Sequence, residues 1–241
     1  MTIVPLTHSP RFWERVWGGL LRTKIRVPPQ PTLPAFLADA ATLARYKLLL
    51  VYIPPGITEE RYPRSFVKPG WEQLQKYRPT VVEHLPLRGG WALVEAIQKP
   101  DWLPNNGYLD DVLIAEWDIG KRYEIPWTIA VRLASEGVEK KFALPSRSAF
   151  LMSAEEWSLT ANLFNWLRRR RCIALPNLGA TNSSEWCRNA VPHEMSADGQ
   201  RGKHGLTIGW KTSGGLANLS HWDEASRSTG FRFIIWLEPA A

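Results

Sequence analysis

The residue types that most often do chemistry are scattered along this chain of 241 residues. No two of its histidines have the i, i+4 or short-loop spacing of a zinc site; they are His8, His84, His193, His204 and His221. The carboxylate pairs Asp110–Asp111 and Asp223–Glu224 offer the oxygen ligands that calcium prefers, but adjacent carboxylates are common on solvated loops. We therefore predict neither a bound metal nor a cofactor.

The short motifs of common enzyme classes are also missing from the sequence. It contains no Gly-x-Ser-x-Gly elbow, no phosphate-binding glycine loop followed by Lys and Ser or Thr, and no dinucleotide-binding glycine motif. Cys172 and Cys187 are too few for a disulfide framework. One bridge between them is sterically allowed, but two reduced, partly buried thiols are favoured. An enzyme whose site is assembled only in three dimensions is our third hypothesis.

The C-terminal run from Gly209 to Arg232 combines two kinds of residue. Glycines with special backbone geometry and packed aromatic residues form a structural frame, namely Trp210, Gly214, Gly215, Trp222, Gly230, Phe231 and Arg232. Between them stand residues of mixed size and polarity, which we predict to bind a ligand: Thr212, Ser213, Leu216, Asn218, Ser220, His221, Asp223 and Glu224.

The chain is basic, with a formal net charge of +7. Its densest cationic cluster, Arg168-Arg169-Arg170-Arg171, follows a segment with helical spacing, Ala154–Leu167. Arginines at the C-terminal end of a helix interact favourably with the negative end of its dipole, and this is the preferred explanation of the cluster. The alternative is a phosphate-binding patch, which makes a basic nucleic-acid-binding module our second hypothesis for the function.

The N-terminal third is predicted to contain two helices and a strand. A short helix near Phe12–Arg22 is followed by a stiff connector with four prolines in Pro28–Pro34. A helix over Leu33–Tyr46 then leads into a buried strand over Lys47–Ile53. Residues 1–34 are therefore expected to form an N-terminal helix and connector packed on a domain that spans residues 35–241.

The rest of the chain is predicted to be short strands and helices joined by long loops. Pro54–Arg88 is irregular, with a strand-like piece at Thr80–Leu85, and Gly90–Ile97 is a strand. A helix falls within Leu109–Trp117 or Ile129–Ser135. The pattern places one α+β domain around these elements.

The clearest helix, Ala154–Leu167, is expected to begin at a capping box formed by Ser153 and Glu156. Glu155 and Glu156 are expected on its solvated side. Beyond Cys172 the sequence is predicted to be built of loops, with strands only at Leu206–Trp210 and Phe231–Leu237.

Four segments in this order resemble the formylglycine-generating-enzyme type of the C-type lectin fold, and within it the variable proteins of diversity-generating retroelements. They are Gly90–Asp101 with Tyr108–Asp111, then Leu144–Phe150, then Ser183–Cys187, and finally the run from Gly214-Gly215 to Gly230-Phe231-Arg232 that closes on Phe233–Trp236. The resemblance implies an α+β, C-type-lectin-like domain with short strands, two or more helices and long loops. It also implies that Leu144–Phe150 opens a helix, that Glu185-Trp186 lies in the core, and that Gly230-Phe231-Arg232 forms a closing strand.

The function that the resemblance implies is ligand binding rather than catalysis. The catalytic members of the family use cysteines near the end of the domain, whereas Cys172 and Cys187 both precede the run from Trp210 to Arg232. We therefore expect a protein that is not an enzyme and whose variable, ligand-binding region spans residues 206–237. Its exposed residues 212–224 are expected to contact a protein or a cell-surface group.

The sequence gives two expectations about location. The longest strongly apolar run, Tyr46–Ile53, is much too short to span a bilayer. Met1–Arg15 has no basic segment followed by an apolar core and a cleavage site, so a cytoplasmic location is the default, with export by another route left open.

Overall fold

A computed structural model of the chain has a mixed α+β fold with two four-stranded sheets. It describes residues 7–57, 85, 87–103, 107–108, 111–170, 172–179, 181–192, 203–211, 217–221 and 228–238. Most of the segment Pro54–Arg88, including nearly all of the strand-like piece Thr80–Leu85, lies outside these residues. The α+β class predicted from the sequence is confirmed.

The N-terminal helix α1 spans Pro10–Leu21. The hydroxyl of Ser9 accepts a hydrogen bond from the amide of Phe12, and the helix ends where Arg22 takes a left-handed conformation. The single helix predicted over residues 33–46 is wrong in part. A 3₁₀ turn, Ala35–Leu37, precedes helix α2, Ala40–Arg45, because the Asp39 carboxylate caps the amide of Thr42 and starts a new helix there.

The first sheet has the strand order β1-β2-β8-β3, and all its neighbours are antiparallel. Its strands are β1 (Leu48–Ile53), β2 (Gly90–Glu95), β3 (Ala149–Leu151) and β8 (Phe233–Trp236). The predicted strands at 47–53 and 90–97 are confirmed with slightly shorter bounds. The segment Leu144–Phe150 does not open a helix, as the resemblance implies, because its last residues pair with β8 as β3.

Helices lie on both sides of β3 in the chain. Those before it are α3 (Val112–Glu116), α4 (Trp127–Arg132), a π-helical turn (Leu133–Gly137) and α5 (Val138–Phe142). Helices are therefore present in both segments that the sequence offered, 109–117 and 129–135. The long helix α6 follows β3 and spans Ala154–Arg169.

The capping box predicted at the start of α6 is confirmed. The Ser153 hydroxyl accepts from the amide of Glu156 at 3.1 Å, and the Glu156 carboxylate accepts from the amide of Ser153 at 2.7 Å. The predicted solvated position of Glu155 and Glu156 is wrong, because both are buried. Glu156 also accepts from the indole of Trp236, so its donors compensate its desolvation. Oε2 of Glu155 accepts from the Asn189 amide at 3.1 Å.

The region after Cys172 was predicted to consist of loops with strands only at 206–210 and 231–237. Both of these strands are present, at Lys203–Lys211 and Phe233–Trp236, but the rest of the prediction is wrong, because further strands complete a second sheet here. Its strand order is β6-β5-β4-β7, with β4 and β7 parallel and the other neighbours antiparallel. The strands are β4 (Ser184–Pro192), β5 (Lys203–Lys211), β6 (Ala217–His221) and β7 (Thr229–Phe231). Their glycine, serine and asparagine content resembles that of loops, but their backbone groups pair with one another across the sheet.

Aromatic side chains join the helices to both sheets in one hydrophobic core. The Trp17 indole of α1 donates to the carbonyl of Tyr52 in β1 at 2.6 Å, and Trp13 and Trp17 are fully buried. On β4, the Trp186 indole donates to the carbonyl of Ile125 at 2.9 Å. The Trp127 indole donates in turn to the carbonyl of Cys187. The indoles therefore fix the positions of several elements by packing and by hydrogen bonds.

In the part of the chain that the structure describes, no helix is both long and apolar enough to cross a membrane. This agrees with the shortness of the apolar runs in the sequence.

The packing of Trp127 on β5 gives a test of the fold. A β-carbon at Gly205 would lie 2.2 Å from Cδ1 of Trp127, so Gly205→Ala forces the indole or the strand to move. We expect this variant to lose about 1–3 kcal/mol in the free energy of unfolding, measured by urea denaturation. Gly120→Ala is the matched control, because no atom lies within 4 Å of the added carbon, and it should change stability by less than about 0.5 kcal/mol. Equal effects would contradict the packing described.

Candidate functional site

A buried ion pair joins two of the motifs singled out in the sequence. Arg232, which follows β7, donates from Nε and Nη2 to the two carboxylate oxygens of Glu185 in β4, at 3.1 and 2.9 Å. Both side chains have no solvent exposure. Arg232 also donates to the carbonyls of Glu95 and Ile97, at 2.7 and 3.1 Å, so its guanidinium connects the second sheet to the end of β2.

The Glu185 carboxylate is saturated with hydrogen bonds. Besides Arg232, it accepts from the Tyr108 hydroxyl at 2.6 Å and from the Trp157 indole of α6. Burial raises the pKa of Glu185, but the charges of Arg232 and Lys99 and the hydrogen bonds from Arg232 and Trp157 outweigh burial and lower the pKa to about 2. Glu185 is therefore held as a carboxylate whose partners leave it inaccessible to a ligand.

A second buried network lies beside the first. Arg122 donates to both oxygens of Glu95 in β2 at 2.8 Å and to both oxygens of Asp111, the residue that caps α3. It also donates to the carbonyl of Phe231 at 3.2 Å, and its guanidinium lies 5.2 Å from the centre of the Phe231 ring. Since Asp111 is committed to Arg122, it is not available for the calcium shell that the Asp110–Asp111 pair suggested.

Lys99 binds the backbone near the start of the predicted ligand-binding region, and we call this contact the Lys99 clamp. Its ammonium donates to the carbonyls of Ser183 at 2.6 Å and Gly209 at 2.8 Å, although the side chain is fully buried. Burial lowers the pKa of Lys99 to about 8, while the nearby charge of Glu185 acts in the opposite direction. The ammonium therefore holds β5 against the segment that leads into β4.

Gly209 forms a bulge in β5 at the point where Lys99 holds it. Its φ is +102°, and the register between β5 and β6 shifts between Ile208 and Trp210. A β-carbon there would lie 2.8 Å from Cζ2 of Trp157 and 2.9 Å from Nζ of Lys99. Glycine is thus required both by the backbone conformation and by the close packing.

Three of the eight predicted ligand-binding residues lie in β6, which is an edge strand. In the ladder with β5, Asn218 is opposite Trp210, Ser220 is opposite Thr207, and His221 is opposite Leu206. The prediction of loop structure is therefore wrong for residues 217–221, which pair with β5 as a strand. The other five, Thr212, Ser213, Leu216, Asp223 and Glu224, lie outside the described residues.

The frame residues divide in the same way. Gly230, Phe231 and Arg232 are buried, and Trp210 lies in β5, whereas Gly214, Gly215 and Trp222 lie outside the described residues. A β-carbon at Gly230 would lie 2.4 Å from the hydroxyl oxygen of Tyr108. The Glu185-Trp186 pair is fully buried, as the resemblance implies. The implied closing strand Gly230–Arg232 is wrong in part, because β7 ends at Phe231, Arg232 follows it, and the last strand is β8.

Other predicted groups are found at separate places. Cys187 is buried and Cys172 is exposed, and both are free thiols. Arg168, Arg169 and Arg170 are exposed at the end of α6, while Arg171 lies outside the described residues. Within the described ranges, no three His, Cys, Asp or Glu side chains are grouped so that they could hold a metal ion.

The roles of Glu95, Lys99 and Arg122 were not predicted from the sequence. Glu95 ends a strand that is otherwise apolar, and this position indicates a buried carboxylate that needs a cationic partner. No signal in the sequence points to Arg122 as that partner, because it lies in an irregular segment 27 residues away. Lys99 stands before a proline, a position that predicts only the end of the strand.

Comparisons of the chain with protein-family models, with curated proteins and with solved structures find no match.

Breaking the Arg232–Glu185 pair tests whether it is essential to the fold. Arg232→Met leaves the Glu185 carboxylate buried without its main partner, and we expect a loss of about 3–5 kcal/mol in the free energy of unfolding by urea denaturation. Adding Glu185→Leu should recover part of that loss, because the uncompensated charge is then removed. Arg45→Met is the control, since the Arg45 side chain is 60% exposed in its pair with Glu116 and should cost under about 1 kcal/mol.

The low pKa of Glu185 predicts a dependence of stability on acid. The folded-state pKa of about 2 lies below the unfolded value, so the contribution of Glu185 is present above the unfolded pKa and is lost as the pH falls toward 2. Unfolding free energies of the wild type and Glu185→Gln should converge over this range by up to about 1.4 kcal/mol per pH unit. A constant difference between the two proteins would show that Glu185 titrates normally.

Proposed function

We propose that the chain is a ligand-binding display protein of the C-type-lectin-like, formylglycine-generating-enzyme subtype, and that it is a variable protein of a diversity-generating retroelement. Its C-terminal region, residues 206–237, is proposed to bind a protein or a cell-surface group. The observation that carries this proposal is the pair of buried clamps at the two ends of the region. Lys99 holds Gly209 at the entry, and Glu185 holds Arg232 at the exit.

The residues of the two clamps, which stabilise the fold, are different from the residues proposed to bind a ligand. Lys99 and Arg232 are buried, and they contact Trp157, Glu95 and Glu185, which lie outside the region. The proposed contact residues lie between the clamps, partly on the edge strand β6. Substitutions between these two fixed points leave the Arg232–Glu185 ion pair and the Lys99 hydrogen bonds intact, which is the property that a diversified binding surface requires.

The topology also supports the proposed display role. The last strand, β8, pairs with β2 and β3, while the preceding strands β4 to β7 form a second sheet. The chain therefore leaves the first sheet after β3, builds the second sheet with the proposed recognition region, and returns to close the first sheet. The proposed recognition region is thus enclosed, in chain order, between β3 and β8 of one sheet.

A randomised library tests the proposed display surface. Randomising the eight contact residues should yield variants that bind an arbitrary protein target, for which we choose hen lysozyme, with micromolar or better affinity. The matched control library randomises eight exposed residues elsewhere, namely Lys24, Arg26, Thr32, Ala38, Ala41, Arg132, Glu136 and Lys140. Binders in the first library alone support the proposal, and equal yields from both libraries contradict it.

Stability separates the contact residues from their frame. Replacing Asn218, Ser220 and His221 together by alanine should shift the midpoint of thermal unfolding by no more than about 4 °C, the shift expected for about 1 kcal/mol in a chain of this length. Phe231→Ala removes a fully buried ring and should cost about 3–5 kcal/mol. A triple variant as unstable as Phe231→Ala would show that these residues belong to the core.

A further inference from the structure

Helix α1 presents a cationic stripe to solvent. Arg11 and Arg15 are exposed, and with Gly19 they fall within about 80° of one another around the helix axis. Arg22 is also exposed, and it caps the C-terminal end of α1, close to Gly19 in the last turn. The opposite face of α1 is apolar and is buried through Trp13 and Trp17. The stripe is therefore the surface that α1 leaves open to a partner.

The end of α6 meets this stripe. A β-carbon at Gly19 would lie 3.4 Å from Cζ2 of Trp166, so the indole packs directly against the helix at a position without a side chain. The guanidinium of Arg170 lies 5.2 Å from the centre of the Trp166 ring. Arg168 and Arg169 are exposed in the same last turn of α6. Two segments far apart in the chain thus form one basic surface around a partly exposed tryptophan.

Helix dipoles do not account for all of these charges. Arg168 and Arg169 in the last turn of α6 are favourable to its dipole, but Arg11 stands in the first turn of α1, where the positive end of the dipole opposes a cation. Within the described residues, none of the six arginines of this surface forms an ion pair with a carboxylate. The single carboxylate of α1, Glu14, accepts from the amide of Val27 instead. The arginines are therefore available to an external anion.

We propose that the basic surface formed by Arg11, Arg15, Arg22, Trp166 and Arg168–Arg170 binds single-stranded nucleic acid. Guanidinium groups bind phosphates, and the Trp166 ring with Arg170 above it provides a planar group on which a base can stack. A lipid surface fits less well, because a membrane-binding helix inserts apolar side chains. The exposed large apolar residues in the described part of the chain are Phe36 and Leu103, and neither belongs to α1 or α6.

The experiment measures fluorescence anisotropy of a labelled single-stranded RNA of mixed sequence between about 50 and 200 mM salt. The site variant combines Arg15→Gln, Arg22→Gln and Arg169→Gln. The control removes the same charge from exposed residues elsewhere through Arg88→Gln, Arg132→Gln and Lys140→Gln. We expect the site variant to bind about tenfold or more weakly, with a salt slope less negative by about 2, because each phosphate that is no longer bound changes the slope by about 0.7. The control should bind less than about twofold more weakly than the wild type.

A second variant tests stacking separately from charge. Trp166→Leu, checked for folding by circular dichroism, should weaken binding of the single strand by at least about fivefold and leave binding of duplex RNA unchanged. Equal losses of affinity in the site and control variants would show that net charge alone attracts the RNA. Binding to phosphatidylserine vesicles without binding to RNA, or binding to neither, would overturn the proposal.

Discussion

The structure of the C-terminal half depends on a charged pair that is wholly buried, Arg232 with Glu185. Removing two charges from water is costly, and the cost is offset only when every donor and acceptor finds a partner. Glu185 achieves this with Arg232, Tyr108 and Trp157. A shift of one residue between β4 and β7 would leave both charges unpaired in the interior. The pair therefore fixes the register of these parallel strands more strictly than apolar packing alone would.

Each buried charge needs a partner of opposite charge, and this requirement explains the size of the buried cluster. Three cations and three carboxylates share the interior between the sheets, namely Arg122, Arg232, Lys99, Glu95, Asp111 and Glu185. Arg232 bonds to backbone carbonyls of β2 and its extension, and the amide of Phe233 donates to Glu95 at 3.2 Å. These bonds connect the first sheet to the second. Loosening either arginine would disturb both sheets, so the cluster supplies the rigidity that the proposed binding surface requires.

The sequence predicts the long helix α6 and the strands β1, β2, β5 and β8, but it misses β3, β4, β6, β7 and the charged interior. The long helix α6 and its capping box follow from helical periodicity and from Ser153 and Glu156, which are local signals. Strand β4 was missed because Ser184, Arg188 and Asn189 have polar side chains that pair only with distant elements. The same limit hides Arg122. Its partners Glu95 and Asp111 become neighbours only after the chain folds, so no spacing in the sequence can reveal them.

In the candidate site, too, local features can be predicted from the sequence and contacts between distant residues cannot. Residue types alone single out Glu185 and the run Gly230–Arg232. These residues lie on and beside the paired strands β4 and β7, at the base of the proposed recognition region. Some of the contact residues lie in β6 because this segment pairs with β5. The segment Ala217–His221 is too short for its residue pattern to predict a strand. The two basic helix ends that meet at Gly19 and Trp166 lie about 150 residues apart, beyond any local pattern.

The most direct test of the central claim, that this chain is a diversified binding protein, is the nucleotide sequence around its gene. We expect a nearby reverse transcriptase and a template repeat of the segment that encodes residues 206–237. Differences between the repeats should occur only at adenines of the template and should fall in codons of the contact residues, with those of Gly230, Phe231 and Arg232 unchanged. A locus with neither a repeat nor a reverse transcriptase, or with substitutions spread equally over clamp and contact codons, would contradict it.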